Sequence, residues 1–516
     1  MKSYLRILAL LLIICTAAAL FAACGTKTTE AQTGDDDDDD GYPENYPEHI
    51  KGLDFSEGGE KRTIRFVVSE GDHPAWARSI ALRESDDPEY NVNAAVIERN
   101  KNVEKELGVI IELTDVYHMG AVNAPLEEIF ASALDIYDVV SGFRYETIAT
   151  TVAAAAGCYL DYSKIAKEEN FLDPDAPYWD SNAYDELGYK GHHNWVTGDL
   201  AQSWVGTIYV AFVNQRIWGL YKDQIKEITG YSDIYDVVKN NKWTMDTLIE
   251  LSKLCYVEKD GNGVPSEGDQ LGYVGVAQTI SNCEVDGLCA GCHVNYTKWV
   301  DGVPKMDFYN DRNVKFADKL YTLMTKSNAY TPPYDSDEHD PRLMFPKGDI
   351  LCIVYWLNTV ETEAFTEMKD DYYIVPCPML DEEQAQTYGY STSTHDGVSI
   401  YGIPYTCQGV DAATATLEAM GYWSLELTTP AYYEVALKNR YTRDLKSAEM
   451  IDLVRAGVYS DFAAIWSHRL GDLTWFIRQN CQARNLTSAM KTKARSWNTM
   501  MDRLLKSLDE VVEIQK

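Results

Sequence analysis

The sequence predicts an α/β protein in which the chain crosses between two lobes. Three observations carry that expectation. From Thr63 onward, strand-like and helix-like stretches alternate. Residues 207–213 are β-branched and aromatic with only small residues between them, the pattern of a strand buried on both faces. That strand lies far from either terminus, with βα-like sequence on both sides. The same stretch also fits one more core strand of a single large α/β domain; the rest of the chain favours the crossing.

A chain of 516 residues has ample core for two or three domains. Its 45% hydrophobic and 24% charged content is that of a soluble globular protein. A net charge of −34 argues against nucleic acid or an anionic membrane surface as partner, since either would be repelled. The aromatics are 35 Tyr and 12 Trp against 13 Phe. Tyr and Trp join a flat apolar face to a polar tip, which suits binding surfaces, although most of them serve the interior of a chain this size.

The N-terminus reads as an export signal. Lys2 and Arg6 precede an apolar run over residues 7–21, followed by Ala22-Ala23-Cys24. The run is short for a membrane span. Leu20-Phe21-Ala22-Ala23-Cys24 resembles a bacterial lipobox, with Phe21 where that motif more often has Leu. Residues 1–23 are therefore expected to be removed, leaving Cys24 as a lipid anchor and the sole membrane attachment. Of 11 cysteines, Cys15 leaves with the signal and Cys24 is modified. The odd, scattered remainder is no disulfide framework. Residues 24–61, with six consecutive aspartates at 35–40, read as a disordered acidic tether.

The first lobe is expected over residues 62–206. Residues 64–68, 109–114 and 138–141 read as strands, the last breaking at Gly142-Phe143-Arg144, and residues 93–107 and 126–134 as helices. Alternation of this kind implies a largely parallel sheet, outside whose carboxyl ends ligands collect. That singles out Glu70, Asp72 and Arg144. A polar loop bearing Asp199 and Trp204 leads into the crossing strand.

The second lobe is expected over residues 207–402. It has helices near 220–238, 244–254 (with Thr244 a hydroxyl cap near its start) and 309–324. A buried strand at 350–355 runs into Trp356 and the polar Asn358, and residues 372–376 form another strand. Residues 398–403 are the candidate return crossing. Helices follow at 412–427 and 430–437 in a first-lobe return (403–446), then at 447–456 and 488–512 in a second-lobe terminus (447–516).

Several stretches together resemble one family. They are Ala95-Val96-Ile97-Glu98-Arg99-Asn100, Tyr137-Asp138-Val139-Val140, Pro177-Tyr178-Trp179-Asp180 and Lys242-Trp243-Thr244-Met245-Asp246. Phe345-Pro346-Lys347-Gly348-Asp349, Val375-Pro376-Cys377-Pro378 and Thr429-Pro430-Ala431-Tyr432-Tyr433 follow, then Arg443-Asp444 with Glu449-Met450. In order and spacing across residues 62–470 they resemble the lipid-anchored extracellular solute-binding proteins, family 1 type, of bacterial ABC importers. The resemblance implies a two-lobe periplasmic-binding-protein-like fold with ligand in the inter-lobe cleft. It also implies a monomeric receptor that hands its ligand to permease subunits. In sugar-binding members a Phe-x-x-Gly strand carries an aromatic into the cleft; Phe345, Gly348 and Trp356 fit that pattern. Trp466 and Trp475 resemble the aromatics that complete such a cleft. Residues 260–269 resemble the family's acidic loop, but Val264 replaces a liganding acid, so no metal is expected.

Cys289-Ala290-Gly291-Cys292-His293 has the spacing for covalent haem attachment. A haem also needs a distal ligand and an apolar pocket, and the motif occurs once, so no cofactor is expected and a reversible disulfide fits the pair better. No G-x-S-x-G, phosphate loop or H-E-x-x-H occurs. The resulting expectation is a non-catalytic receptor for a sugar or oligosaccharide. An exported glycan-processing enzyme is one alternative, because a carboxylate pair could lie among 80 acids. A surface adhesin or sensor is the other.

Overall fold

Three parallel strands joined by helical crossovers open the fold. The structure is a computed structural model that describes residues 42–70, 79–81, 91–118, 121–152, 158–276, 283–332, 339–438 and 445–514. The expected signal, Cys24 and the aspartate run lie outside the described residues. The chain divides into two units, Met1–Tyr46 and Pro47–Lys516. Everything below concerns the second.

β1 (Arg62–Glu70) pairs in parallel with β2 (Val109–His118) and β3 (Val139–Phe143), and β10 (Ser399–Gly402) closes the sheet antiparallel to β3. The order β10-β3-β1-β2 needs crossovers between parallel neighbours. Helices Asn91–Glu106 and Asn123–Ser132 supply them. The sheet interior is apolar: Ile64, Phe66, Val68, Val139 and Val140 are wholly buried.

The second sheet has the order β5-β8-β4-β9. Its strands are β4 (Tyr209–Asn214), β5 (Leu271–Tyr273), β8 (Ile350–Trp356) and β9 (Tyr372–Val375). β8 and β9 flank β4 antiparallel, and β5 lies parallel to β8. Every residue of β4 is buried, as the run at 207–213 predicts for a strand covered on both faces. β6 (Thr297–Val300) and β7 (Val303–Met306) form a separate hairpin.

The segments joining the two sheets run antiparallel beside each other. Tyr209 N donates to Ser393 O at 3.2 Å and His395 N to Thr207 O at 3.1 Å. Further along, Ser399 N donates to Ser203 Oγ at 2.9 Å. Both crossings are thus tied by backbone and hydroxyl bonds, the arrangement of a paired hinge.

Local chemistry fixes the helices. Thr244 caps Met245–Leu254 by accepting from Thr247 N at 3.3 Å, and Asn310 caps Asp311–Lys326 by accepting from Asn313 N at 2.8 Å. The helices expected at 412–427 and 430–437 are one rod: Val410–Trp423 passes through a π-turn at Ser424–Thr428 into Thr429–Lys438.

The tether expectation reaches too far. Pro47 to Lys61 lies against the first lobe. Ile50 is buried, Phe55 N donates to Leu107 O at 2.8 Å, and the Phe55 and Phe171 rings meet edge-on at 6.4 Å. Those two apolar side chains give this segment something to bury, which the aspartate run lacks. The C-terminal helix Leu486–Ile514 also touches first-lobe sequence, where Tyr189 donates to Asp509 at 3.1 Å.

No disulfide joins the nine cysteines of the described residues, and all nine are buried. Cys289 and Cys292, a pair that a reversible disulfide fits better than haem, are separate thiols at the end of helix Glu284–Gly291. His293, in the left-handed region at φ 51°, stacks on Tyr388 and Tyr459 with centroids 3.8 and 4.1 Å away. Burial, helped by Arg312, holds its imidazole down to about 4.

Candidate ligand cleft

β3 ends at Phe143, and the next side chain, Arg144, projects from the carboxyl end of the first sheet into a narrow cavity of about 60 Å³. Second-lobe residues form the opposite wall: Asp286 and Cys289 from helix Glu284–Gly291, Tyr459 and Asp461, and Asp396 from the return crossing. Helix Glu284–Gly291 packs on β4 and β8, so it moves with the second sheet. The cavity has room for several waters.

Its charges are mostly paired. Arg478 Nε donates to both Asp286 oxygens at 3.0 Å, and Arg478 Nη2 reaches Asp396 at 3.3 Å. His395 Nε2 lies 2.8 Å from Asp396. Burial opposes charge on His395, but Asp396 outweighs it and lifts the imidazole to about 9. Burial likewise works to raise Asp396, yet His395 and Arg478 hold it well below the usual carboxylate range. Asp461 has no cation among the described residues. Burial pushes it up, while Thr297 Oγ1 and the N–H groups of Tyr296, Thr297 and Ala464 bond to it at 2.8–3.1 Å. Arg144 is 7% exposed, and burial lowers its pKa.

A second, more open cavity of about 380 Å³ holds the expected Asp199 and Trp204 together with Trp179, Asp180 and Arg455. Asp180 caps helix Ser181–Leu187 at Ala183 N (2.8 Å) and accepts from Trp204 Nε1 at 2.9 Å. Arg455 comes from helix Leu445–Ala456, which packs on β9. Its guanidinium lies 5.0 Å over the Trp204 ring and clasps both oxygens of the buried Asp199, with Nη1 to Oδ1 at 2.8 Å. Asp199 N donates to Tyr178 O at 2.9 Å, and Tyr178 hydrogen-bonds Glu418 of the first-lobe rod at 2.5 Å. The Asp199–Arg455 pair therefore ties one lobe to the other.

The remaining expected site residues are dispersed. Glu70 ends β1 opposite His118, and Asp72 lies outside the described residues. Trp356 ends β8 half-buried and lines neither cavity; its ring meets His395 edge-on at 4.5 Å and sits 5.8 Å from the Arg342 guanidinium. It backs the residue beside Asp396 and presents no open face to either cavity. Asn358 is half-buried beside Gly206. Trp466 is 2% exposed and packs in the core near Phe462, while its neighbours Ala464 and Ile465 line the first cavity. Sequence reasoning missed Asp286, Asp396, Arg455 and Arg478. Asp396 carried a usable signal, since it lies two residues before the expected return crossing.

In the acidic loop, the ligand oxygens of Glu258, Asp260 and Asp269 lie within 4.8 Å of one another, so these three could hold a cation. The loop's own donors already engage them: Asn262 N and Ser266 Oγ bond Asp260, and Lys259 N and Ser266 N bond Asp269, at 2.6–3.0 Å. Among the described residues, no helix is long and apolar enough to cross a membrane.

No protein-family model matches the chain, and no curated protein matches it. Solved structures do. One is an ABC transporter solute-binding protein of Thermotoga lettingae bound with alpha-D-tagatose, at a TM-score of 0.52 and 14% identity, covering 86% of this chain and all of that one. Another is the cyclic alpha-maltosyl-1,6-maltose binding protein of Arthrobacter globiformis, at a TM-score of 0.53 and 12% identity, with coverage of 86% and 100%.

Proposed function

We propose that this chain, which has the two-lobe fold of solute-binding proteins, is a receptor that captures a sugar or oligosaccharide outside the cell and presents it to an ABC permease. The observation that supports this reading is the cavity between the lobes. Arg144 forms its wall from one sheet, and Asp286, Asp396 and Asp461 form it from the other lobe and the crossing. Ligand bridging both walls would favour the closed arrangement in proportion to its extra contacts there. Trp356 acts behind the hinge, through His395.

Calorimetry of the mature protein against a glycan panel tests the reading. Saturable binding of at least one glycan is expected, without turnover of it. A folded protein that binds none of them ends the reading, and hydrolysis of a bound glycan replaces it with an enzyme.

The anchor is part of the same proposal. Removing Lys2 and Arg6 with the signal takes the charge from −34 to −36, so adhesion to anionic lipid is no substitute for an acyl chain. Cys24→Ala should move the protein from the membrane to the soluble fraction. Retention through a high-salt wash would refute lipidation at Cys24.

A further inference from the structure

We infer that the ligand is an acidic sugar, a uronate-bearing oligosaccharide whose carboxylate is bound by Arg144; the inference rests on the receptor reading above. Three arginines are more than nine-tenths buried among the described residues: Arg99, Arg144 and Arg478. They differ in what takes up their donors. Arg99 bonds Asn100, Ser424 Oγ and Ile80 O at 2.7–3.3 Å. Arg478 holds two carboxylates. Among the described residues, the Arg144 guanidinium has no hydrogen-bond partner, its Nε is buried and unpartnered, and no carboxylate lies within ion-pair distance of it.

A guanidinium stays charged when buried, and a charge taken from water without a counter-ion is costly to the fold. The carboxylates nearest in effect, Asp396 and Asp180, are already engaged by His395 and Arg478 and by Ala183 and Trp204. The donors of Arg144 therefore remain for whatever enters the cavity. Sugar hydroxyls can accept from it but cannot neutralise it. A carboxylate does both, through two parallel charge-assisted bonds. The narrow cavity has room for such a substituent in place of several waters. Asp286, Asp396 and Asp461 share the wall, and their repulsion favours a single negative charge over a phosphate dianion.

The test is calorimetry of the mature protein with trisaccharides of galacturonate, glucuronate and mannuronate, their methyl esters, and the matching neutral and sulfated sugars. At least one uronate should bind ~10- to 100-fold tighter than its methyl ester, as expected for a charge-assisted pair. Arg144→Gln should abolish that preference, Arg144→Lys should restore part of it, and the free R144Q protein should melt no lower than the parent. Three results overturn the inference and leave the receptor reading standing: neutral or sulfated sugars binding at least as tightly as the uronates, an acid preference that survives in R144Q, or a clear loss of melting temperature in R144Q. Failure of every sugar to bind the folded parent would remove both.

Discussion

The two cavities of the cleft differ in how their charges are arranged. In the narrow one, Arg478 and His395 neutralise Asp286 and Asp396 within the second lobe and the return crossing, and only Arg144 reaches in from the first sheet. In the wide one, the ion pair itself spans the lobes, since Asp199 is anchored to the first and Arg455 to the second. Charges balanced within one body hold a wall rigid. Charges balanced across two bodies hold those bodies together. In the proposed receptor the narrow cavity would thus read the ligand, and the wide one would set how readily the lobes part.

The largest effect that tests this division should come from Arg478→Met. It leaves Asp286 and Asp396 in a buried site without their cation. Stripping one member from a buried pair costs about 3–5 kcal/mol of folding stability. Chemical denaturation should show that loss, and a change below 1 kcal/mol would mean that the wall is not held by these charges.

Glu284 gives the next effect. It lies on the helix that carries Asp286, is wholly buried, accepts from Val276 N, and leaves Oε2 without a partner. Burial pushes its carboxyl up to about 8. A carboxyl raised on folding stabilises the native state fully below its unfolded value near 4.5 and loses that contribution as the pH rises through about 8. The parent should therefore lose on the order of 3 kcal/mol between pH 4.5 and 9. Glu284→Gln should flatten that slope, read by denaturation at several pH values. An unchanged slope would assign the pH dependence to other groups.

The smallest effect belongs to Asp199→Asn, which breaks the clasp on Arg455. A charge-assisted bond of this kind is worth about 2 kcal/mol. Its signature should appear chiefly in shape: a larger radius of gyration for the free protein, reversed by saturating ligand. Equal scattering from mutant and parent would show that the pair does not govern opening.

Much of the framework was legible because it rests on local pattern. Runs of buried β-branched residues marked β4 and β8, and Thr244 marked a helix start. Arg144 was legible because it follows a parallel strand at its carboxyl end. The helix Glu284–Gly291 was hidden by its glycines and by the distraction of Cys289 and Cys292. β5, three residues long, offers no period to read. The ion pairs were invisible for another reason. Arg478 meets Asp286 across 192 residues and Arg455 meets Asp199 across 256, and nothing near either arginine in sequence announces its partner. Trp466 misled because an aromatic beside lining residues need not line the cavity itself; one turn of a short helix sends it into the core.

The buried cysteines turn the molecule into a clock for its own opening. Thiolate is the reactive form, and burial pushes Cys158 up to about 11 and both Cys255 and Cys407 to about 12. At neutral pH such sulfurs are almost entirely protonated and sheltered from reagent, so alkylation must wait for local or global unfolding. Cys255 and Cys352 lie around the second sheet, while Cys158 and Cys407 lie beside the first. Mass-resolved labelling rates at these four positions would time the exposure of each lobe separately, with no probe added to the protein.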